Sequence, residues 1–251
     1  KFQKRISFTF NIVIMVKLIL IRHGQSLWNA ENKFTGWADS ALSSKGKIEA
    51  KQAGIFLKNK NIEVCFTSML TRAINTLEIL LKELENNEIK TIKAWELNER
   101  HYGSLTGLNK AETKKKLGDS MFLNYRRSWD IAPPKIDTDS PYLKNFSELN
   151  NLIPNNKIPR TESLKDTYNR VINYYNDNIL SFIKNNKMVL IAAHGNSLRA
   201  LCKYLFNISN EKINKLEIPT GNPMIIDFSN SLEVQDAYYM DEKRAMPIFD
   251  I

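Results

Sequence analysis

Two of the chain's three histidines stand in the same setting. His23 and His194 each follow a short apolar run and precede a glycine, in "LILIRHG" and "LIAAHG". A continuous apolar run of this length reads as a strand covered on both faces. Ligands of open α/β sheets bind in the crevice at the carboxyl ends of such strands. The glycines permit a tight turn and close approach of a ligand. Arg22 precedes His23, and Arg72 follows "FTS" in the first turn of a predicted helix. Arginines meeting a crevice near a helix N-terminus make a phosphate site, because the planar guanidinium matches phosphate oxygens two at a time. His101 is the third histidine and sits beside Glu99 as a structural residue or a neighbour of the site. The three histidines show no paired ligand spacing, which argues against a metal hydrolase.

These strand ends need a sheet and helices to hold them. After the strand at Leu18–Ile21, the spacing of Ala50, Ala53, Gly54 and Leu57 predicts a helix starting near Ser43. "EVCFTS" reads as a second strand, and a helix then carries Leu70, Ala73, Leu77, Leu80, Leu81 and Leu84 on one stripe. "IKTIKA" is a weaker strand. Residues 95–160 read as an inserted lobe over the strand C-terminal ends, with 135–160 its least ordered part. A long helix resumes near Glu162, with Leu164, Tyr168, Val171, Tyr175 and Ile179 facing inward, before the strand "KMVLIAAHGNS". The alternation predicts an α/β three-layer sandwich with a mostly parallel central sheet flanked by helices. Residues 15–251 read as one domain and 1–14 as an extension outside its core.

Composition sets the outer bounds. A 251-residue chain with 43% hydrophobic and 25% charged residues fits a soluble globular protein. Its net charge of +9 favours anionic partners. The basic residues are dispersed, as in the solvated run Lys114-Lys115-Lys116, with no nucleic-acid motif. Cys65 and Cys202 read as small buried hydrophobes rather than a disulfide, which suits a reducing cytoplasm. The apolar N-terminal stretch has no small-residue cleavage site and is interrupted by Lys17, which argues against a secretory signal or membrane insertion.

Beyond these residues, "LIRHGQSLWN", "FTGW", "TSMLTRA", "LNERHYGSLTGLNKAE", "YRRSWDI", "IAAHGNSLRAL" and "IPTGNPM" strongly resemble the cofactor-dependent phosphoglycerate mutases of the histidine phosphatase superfamily. The similarity runs from about Val16 to Tyr239. It implies interconversion of 3- and 2-phosphoglycerate, primed by 2,3-bisphosphoglycerate, without a metal and in the cytoplasm. His23 would become phosphohistidine and Glu99 would trade protons with the substrate oxygens. Arg22, Arg72 and His194 would surround the transferring phosphoryl group, with Asn29, Gly195 and Asn196 nearby. Arg126, Arg127, Tyr102 and Lys110 would hold the carboxylate and the second phosphate, aided by Thr35, Gly36 and Ser26. A phosphatase of the superfamily would share the histidines and first arginines but would not need the second cationic cluster. Monomer, homodimer and homotetramer stay open. Gln25 stands where many members carry Glu. The tail "YYMDEKRAMPIFDI" lacks the Lys- and Ala-rich extension of many members. A short tail leads to the expectation of a phosphoenzyme that hydrolyses faster, unless "MPIF" docks over the site.

Overall fold

In the computed structural model, residues 15–85, 88–142 and 153–249 are described. Six strands form one sheet in the order β3-β2-β4-β1-β5-β6. They are β1 (Met15–Arg22), β2 (Val64–Thr67), β3 (Lys90–Lys93), β4 (Val189–Ala193), β5 (Met224–Phe228) and β6 (Val234–Tyr239). The ladders joining β3, β2, β4 and β1 are parallel, and only the β1–β5 and β5–β6 pairs are antiparallel.

Side-chain alternation sorts the central strands into two faces. Leu18, Leu20, Phe66, Val189, Ile191 and Ile226 enter one core, together with Leu164, Val171, Ile179, Leu198 and Leu201. Ile19, Ile21, Cys65, Leu190, Ala192 and Ile225 enter the other, against Ala53, Leu57, Leu77 and Leu80. The second face is therefore covered by α2 (Ser44–Leu57) and α3 (Thr71–Glu83). The first is covered by α5 (Leu164–Tyr174), α6 (Leu180–Lys184) and α7 (Gly195–Leu205). This is the predicted three-layer sandwich. The edge strand β3 is mostly exposed and begins and ends on lysine, which discourages pairing with another chain.

Most predicted boundaries hold to within a residue or two. Ser43 caps α2, its hydroxyl accepting from Gly46 N–H. The helix expected near Glu162 is capped by Ser163 and broken by a π segment at Tyr175–Ile179. The wider turn keeps Tyr175, Ile179 and Ile183, spaced by four, on one buried line. Three elements are additions to the read pattern: the strands β5 and β6, which pair antiparallel, and α4 (Lys110–Arg127) in the segment read as an inserted lobe. Only Thr113 and Phe122 of α4 are buried, so it carries no apolar stripe. Gly118, at φ +75°, divides it into two helical stretches in a conformation that favours glycine. Within 135–160, positions 143–152 lie outside the described residues, as do 1–14. Ile136 and Ile153 on either side are buried. Cys65 and Cys202 are free and buried, and burial pushes each thiol up to about 12. No helix among the described residues is long and apolar enough to cross a membrane.

Candidate active site

The parallel register places the chemistry. Arg22 pairs with Ala193, Thr67 with Ala192, and His23 N–H extends the ladder to Ala193 O at 2.9 Å. The next residue of each strand, His23, His194 and Ser68, therefore emerges side by side. The two imidazole centroids are 5.0 Å apart, and Ser68 Oγ lies 2.7 Å from His194 Nε2. Immediately after His23 the chain touches the start of α2: a Cβ on Gly24 would come within 2.2 Å of Gly46 O. Gln25 fixes the same turn, its N–H donating to Glu49 Oε2 and its Oε1 accepting from Ser43 Oγ.

The surroundings of His23 set its tautomer. Nδ1 faces Gly24 O at 2.7 Å, and a carbonyl only accepts, so Nδ1 carries the proton. Nε2 is left with a lone pair, which accepts from Arg72 Nε at 3.3 Å. Burial lowers the His23 pKa well below its usual value, with Arg72 and Arg22 adding to the effect. The imidazole is thus neutral at physiological pH. Arg72 is held by both ends, donating from Nη1 to Ala38 O at 3.0 Å and from Nη2 to Gly36 O at 2.7 Å. Burial pulls its pKa down to about 10, still far above physiological pH. Burial first, then Arg72 and His23, also lowers the pKa of His194.

Glu99 comes from outside the sheet. Its Oε1 accepts from Arg100 N–H at 2.8 Å and from Asn196 N–H at 3.1 Å, in the first turn of α7. Its own backbone is pinned: Glu99 O accepts from Trp37 Nε1 at 2.6 Å and from Arg170 Nη2 at 3.0 Å. Arg170 also donates to Glu96 O and Asn98 O and makes a buried two-point ion pair with Glu162. Glu162 Oε2 in turn accepts from His101 N–H at 2.8 Å. His101 is structural: Nδ1 accepts from Gly103 N–H, the ring does not line the cavity, and burial followed by Arg170 pulls its pKa to about 3.

A cavity of about 90 Å³ opens over these groups. Arg22, His23, Arg72 and Glu99 line it, with Gly195 between Arg22 and Glu99. Asn29, Thr35, Gly36 and Asn196 contribute polar groups, and Asn196 Nδ2 donates to the Tyr102 hydroxyl at 3.0 Å. Lys110 opens α4 and Arg126 and Arg127 close it, so one helix delivers three cations. Burial lowers the pKa of Lys110 and of Arg126. Burial pushes the Tyr102 phenol up, but Arg100 and Lys110 outweigh it and leave a net lowering. Ser26 and His194 stand outside the lining: the Ser26 hydroxyl caps α1 (Leu27–Ala30), and the His194 ring packs against that of His23. Three buried polar atoms at the site have no protein partner, namely Arg22 Nε, Thr35 Oγ1 and His194 Nδ1.

Several residues here were not among those read from the sequence. Lys33, Arg199 and Glu217 also line the cavity. Arg199 lies within the motif "HGNSLRAL", one turn beyond Asn196, and that spacing on a helix was the available signal. Buried Arg100 donates from Nη2 to Tyr125 O and Arg126 O at 2.9 Å each, capping α4 and fixing its last turn. "MPIF" does not cover the cavity: Ile248 enters the core and Phe249 packs on Phe206 at 5.3 Å. Among the described residues, no group of three or more His, Cys, Asp or Glu side chains could hold a metal ion.

The arrangement offers a neutral imidazole nitrogen, fixed cations and a carboxylate held beside them, Glu99, in a single cavity, which is what phosphoryl transfer asks of a protein. The sequence matches the histidine phosphatase superfamily (branch 1) over residues 18–142 and 135–238. It is 49% identical over 233 residues to the 2,3-bisphosphoglycerate-dependent phosphoglycerate mutase of Pelagibacter ubique, covering 92% of this chain and 98% of that one. Two solved structures share the fold. They are a phosphoglycerate mutase from Bacillus anthracis (TM-score 0.63, 21% identity, 87% of this chain and 90% of that one) and a mycobacterial glucosyl-3-phosphoglycerate phosphatase (0.64, 20%, 84% and 92%).

Proposed function

The chain belongs to the phosphoglycerate mutases of the histidine phosphatase superfamily, and from that premise we propose that it interconverts 3- and 2-phosphoglycerate through a phosphohistidine at His23. The observation that carries the reading is that one cavity holds both halves of the required chemistry. His23 Nε2, Arg72 and Glu99 stand with a second cationic cluster, Lys110, Arg126 and Arg127. A phosphatase needs the first set; a ligand with another anionic end needs both.

The two buried polar atoms without protein partners on residues that line the cavity, Arg22 Nε and Thr35 Oγ1, and the arginines around them fit a phosphorylated acid. When bound, 2,3-bisphosphoglycerate supplies the phosphoryl group that primes the enzyme. His23 Nε2 attacks phosphorus, forming an N–P bond as the P–O bond to the glycerate breaks, and Glu99 gives the departing oxygen its proton. In the mutase half-reaction the free hydroxyl of the substrate attacks phosphohistidine and passes its proton to Glu99. His23 returns to the neutral form set by Gly24 and Arg72, ready to take the other phosphoryl group. Arg22 and Arg72 stay charged and offset charge on the equatorial oxygens, a duty a metal has elsewhere. His194, its Nε2 2.7 Å from Ser68 Oγ and its ring against that of His23, backs the phosphoryl site from outside the lining. Lys110, Arg126, Arg127 and Tyr102 bind the carboxylate and second phosphate. Asn29, Thr35, Gly36, Gly195 and Asn196 complete the cradle, and Ser26 supports it through α1.

Incubation with 2,3-bisphosphoglycerate should yield an acid-labile, base-stable phosphoprotein that His23→Ala cannot form. A coupled assay should show turnover that needs the primer and survives a chelator. Undiminished labelling of the alanine variant would sink the assignment of His23.

A further inference from the structure

Glu217 is an anion built into a site for anions. Among the described residues, seven arginine and lysine side chains line the cavity against two carboxylates. The first, Glu99, is held by backbone N–H groups for proton transfer. The second has no such task. The Glu217 carboxylate accepts from Arg127 Nη2, and its other oxygen lies 3.7 Å from Arg199 Nη2. The Glu217 side chain is 41% exposed, against 14% for Arg127 and 7% for Arg199, so one half-buried and one buried guanidinium sit behind a carboxylate that reaches solvent.

The backbone at this position is fixed on both sides. Leu216 O accepts from Arg199 Nε and Ile218 O from Arg22 Nη1, each at 2.9 Å, and the Tyr239 hydroxyl donates to Glu217 O at 3.4 Å. The carboxylate is thus delivered to the arginines by a held strand of chain, while its side chain keeps room to swing.

We propose that Glu217 is an internal competitor for Arg127 and Arg199, a carboxylate that ligand anions must displace, and that it sets how tightly the site holds polyanions. The identity of the natural ligand rests on the mutase reading above; the competition itself does not. That reading also gives the competition a use. After His23 passes its phosphoryl group to the substrate, the bound bisphosphoglycerate must present its other phosphate to the same Nε2. Cations gripping both ends unopposed would slow that turn, and Glu217 weakens the grip at the end held by Arg127.

Calorimetric titration of the full chain and of Glu217→Gln with 2,3-bisphosphoglycerate, 3-phosphoglycerate and tripolyphosphate tests this. The glutamine variant should bind bisphosphoglycerate and tripolyphosphate about tenfold tighter, and 3-phosphoglycerate by a smaller factor, because more ligand charge is relieved of repulsion. In an Arg127→Ala background most of that gain should vanish. Equal or weaker polyanion binding by Glu217→Gln would overturn the proposal and make Glu217 a strut that holds Arg127 for the ligand. A gain that persists in full without Arg127 would overturn it as well. Glu217→Asp keeps the charge on a shorter arm and should bind between the two, which covers misfolding of the glutamine variant. A wild-type chain that binds tripolyphosphate but does not turn over 3-phosphoglycerate would break the mutase reading, and the tripolyphosphate titration would still decide the role of Glu217.

Discussion

On one side of the cavity His23, His194 and Ser68 hang from adjacent parallel strands, placed by the register of a buried backbone ladder. On the other, Glu99, Tyr102, Lys110, Arg126 and Arg127 come from a segment outside the sheet. That segment is held by buried arginines reaching carbonyls, Arg170 to residues 96, 98 and 99 and Arg100 to residues 125 and 126. His23, the proposed nucleophile, therefore rests on cooperative secondary structure, whereas the groups proposed for proton transfer and binding rest on a few side chains. The second side should be the easier one to dislodge by single substitutions.

The largest effect expected within the second side is at Glu99. Glu99→Gln keeps the shape and removes the basicity, so kcat should fall by about 10²–10⁴ with KM little changed. Arg127→Ala should raise KM more than it lowers kcat, because its interaction is already made in the ground state. Steady-state kinetics at saturating primer separates the two; a shared pattern would mean that the roles are not divided this way.

Arg170 tests the support rather than the chemistry. Its ion pair with Glu162 is buried, so Arg170→Ala strands a carboxylate and should cost about 3–5 kcal/mol. At this chain length that is a fall of roughly 10 °C in Tm, from about 2–4 °C per kcal/mol. The labelling of His23 by primer should outlast the loss of kcat, since His23 hangs from the sheet. If Arg170→Ala abolishes labelling and turnover together, the two sides are not independently held.

The same division explains what was legible in the sequence. Continuous apolar strands and the stripe of α3 announce themselves by composition and period, so β1, β2, β4, α2 and α3 could be read directly, and with them His23, Arg22, Arg72 and His194. α4 could not, because a polar helix with two buried residues and a glycine break has no period to detect. Its cations came only through family resemblance. Arg100, Arg170 and Glu162 escaped even that, since a buried arginine bound to carbonyls looks, in sequence, like any other arginine. β5 and β6 were not legible either, because β5 is a five-residue buried run that periodicity alone does not separate from other short apolar stretches, and β6 is a mostly exposed edge strand with two buried positions.

All three histidines are buried with lowered pKa values, and this yields a pH signature. A histidine that resists protonation in the fold binds fewer protons there than when unfolded. Its contribution is fully present above about pH 6.5 and is lost as pH falls below that value. Each can contribute a slope of about 1.4 kcal/mol per pH unit, so the denaturant midpoint should drop steeply between pH 6.5 and 5. His101→Gln should flatten the profile while sparing the labelling of His23. A profile that is level across this range would mean that the buried rings are charged.

The smallest effect belongs to the end of the sheet remote from the cavity. Asp227 pairs with Val16 in the β1–β5 ladder, at the opposite end of β1 from His23. Across the β5–β6 pair it faces Asp236 directly, and its Oδ1 is buried without a partner. Burial first, then Asp236, raises its pKa, with Lys60 opposing. A carboxyl with a raised pKa binds more protons folded than unfolded, so its ionised form costs stability at neutral pH and the cost lifts as pH falls. Asp227→Asn should accordingly stabilise the protein by about 0.2–1 kcal/mol at pH 7, the scale of a like-charge cross-strand pair. The new amide can donate to Asp236. The gain should fade toward about pH 4, where the aspartate is itself protonated. Activity should not change, because the ladder at this end touches neither side of the cavity. Urea denaturation at pH 7 and pH 4, with kcat measured alongside, decides the matter. A gain that survives at pH 4 would trace to packing instead of charge, and a changed kcat would show that the sheet transmits strain along its length to His23.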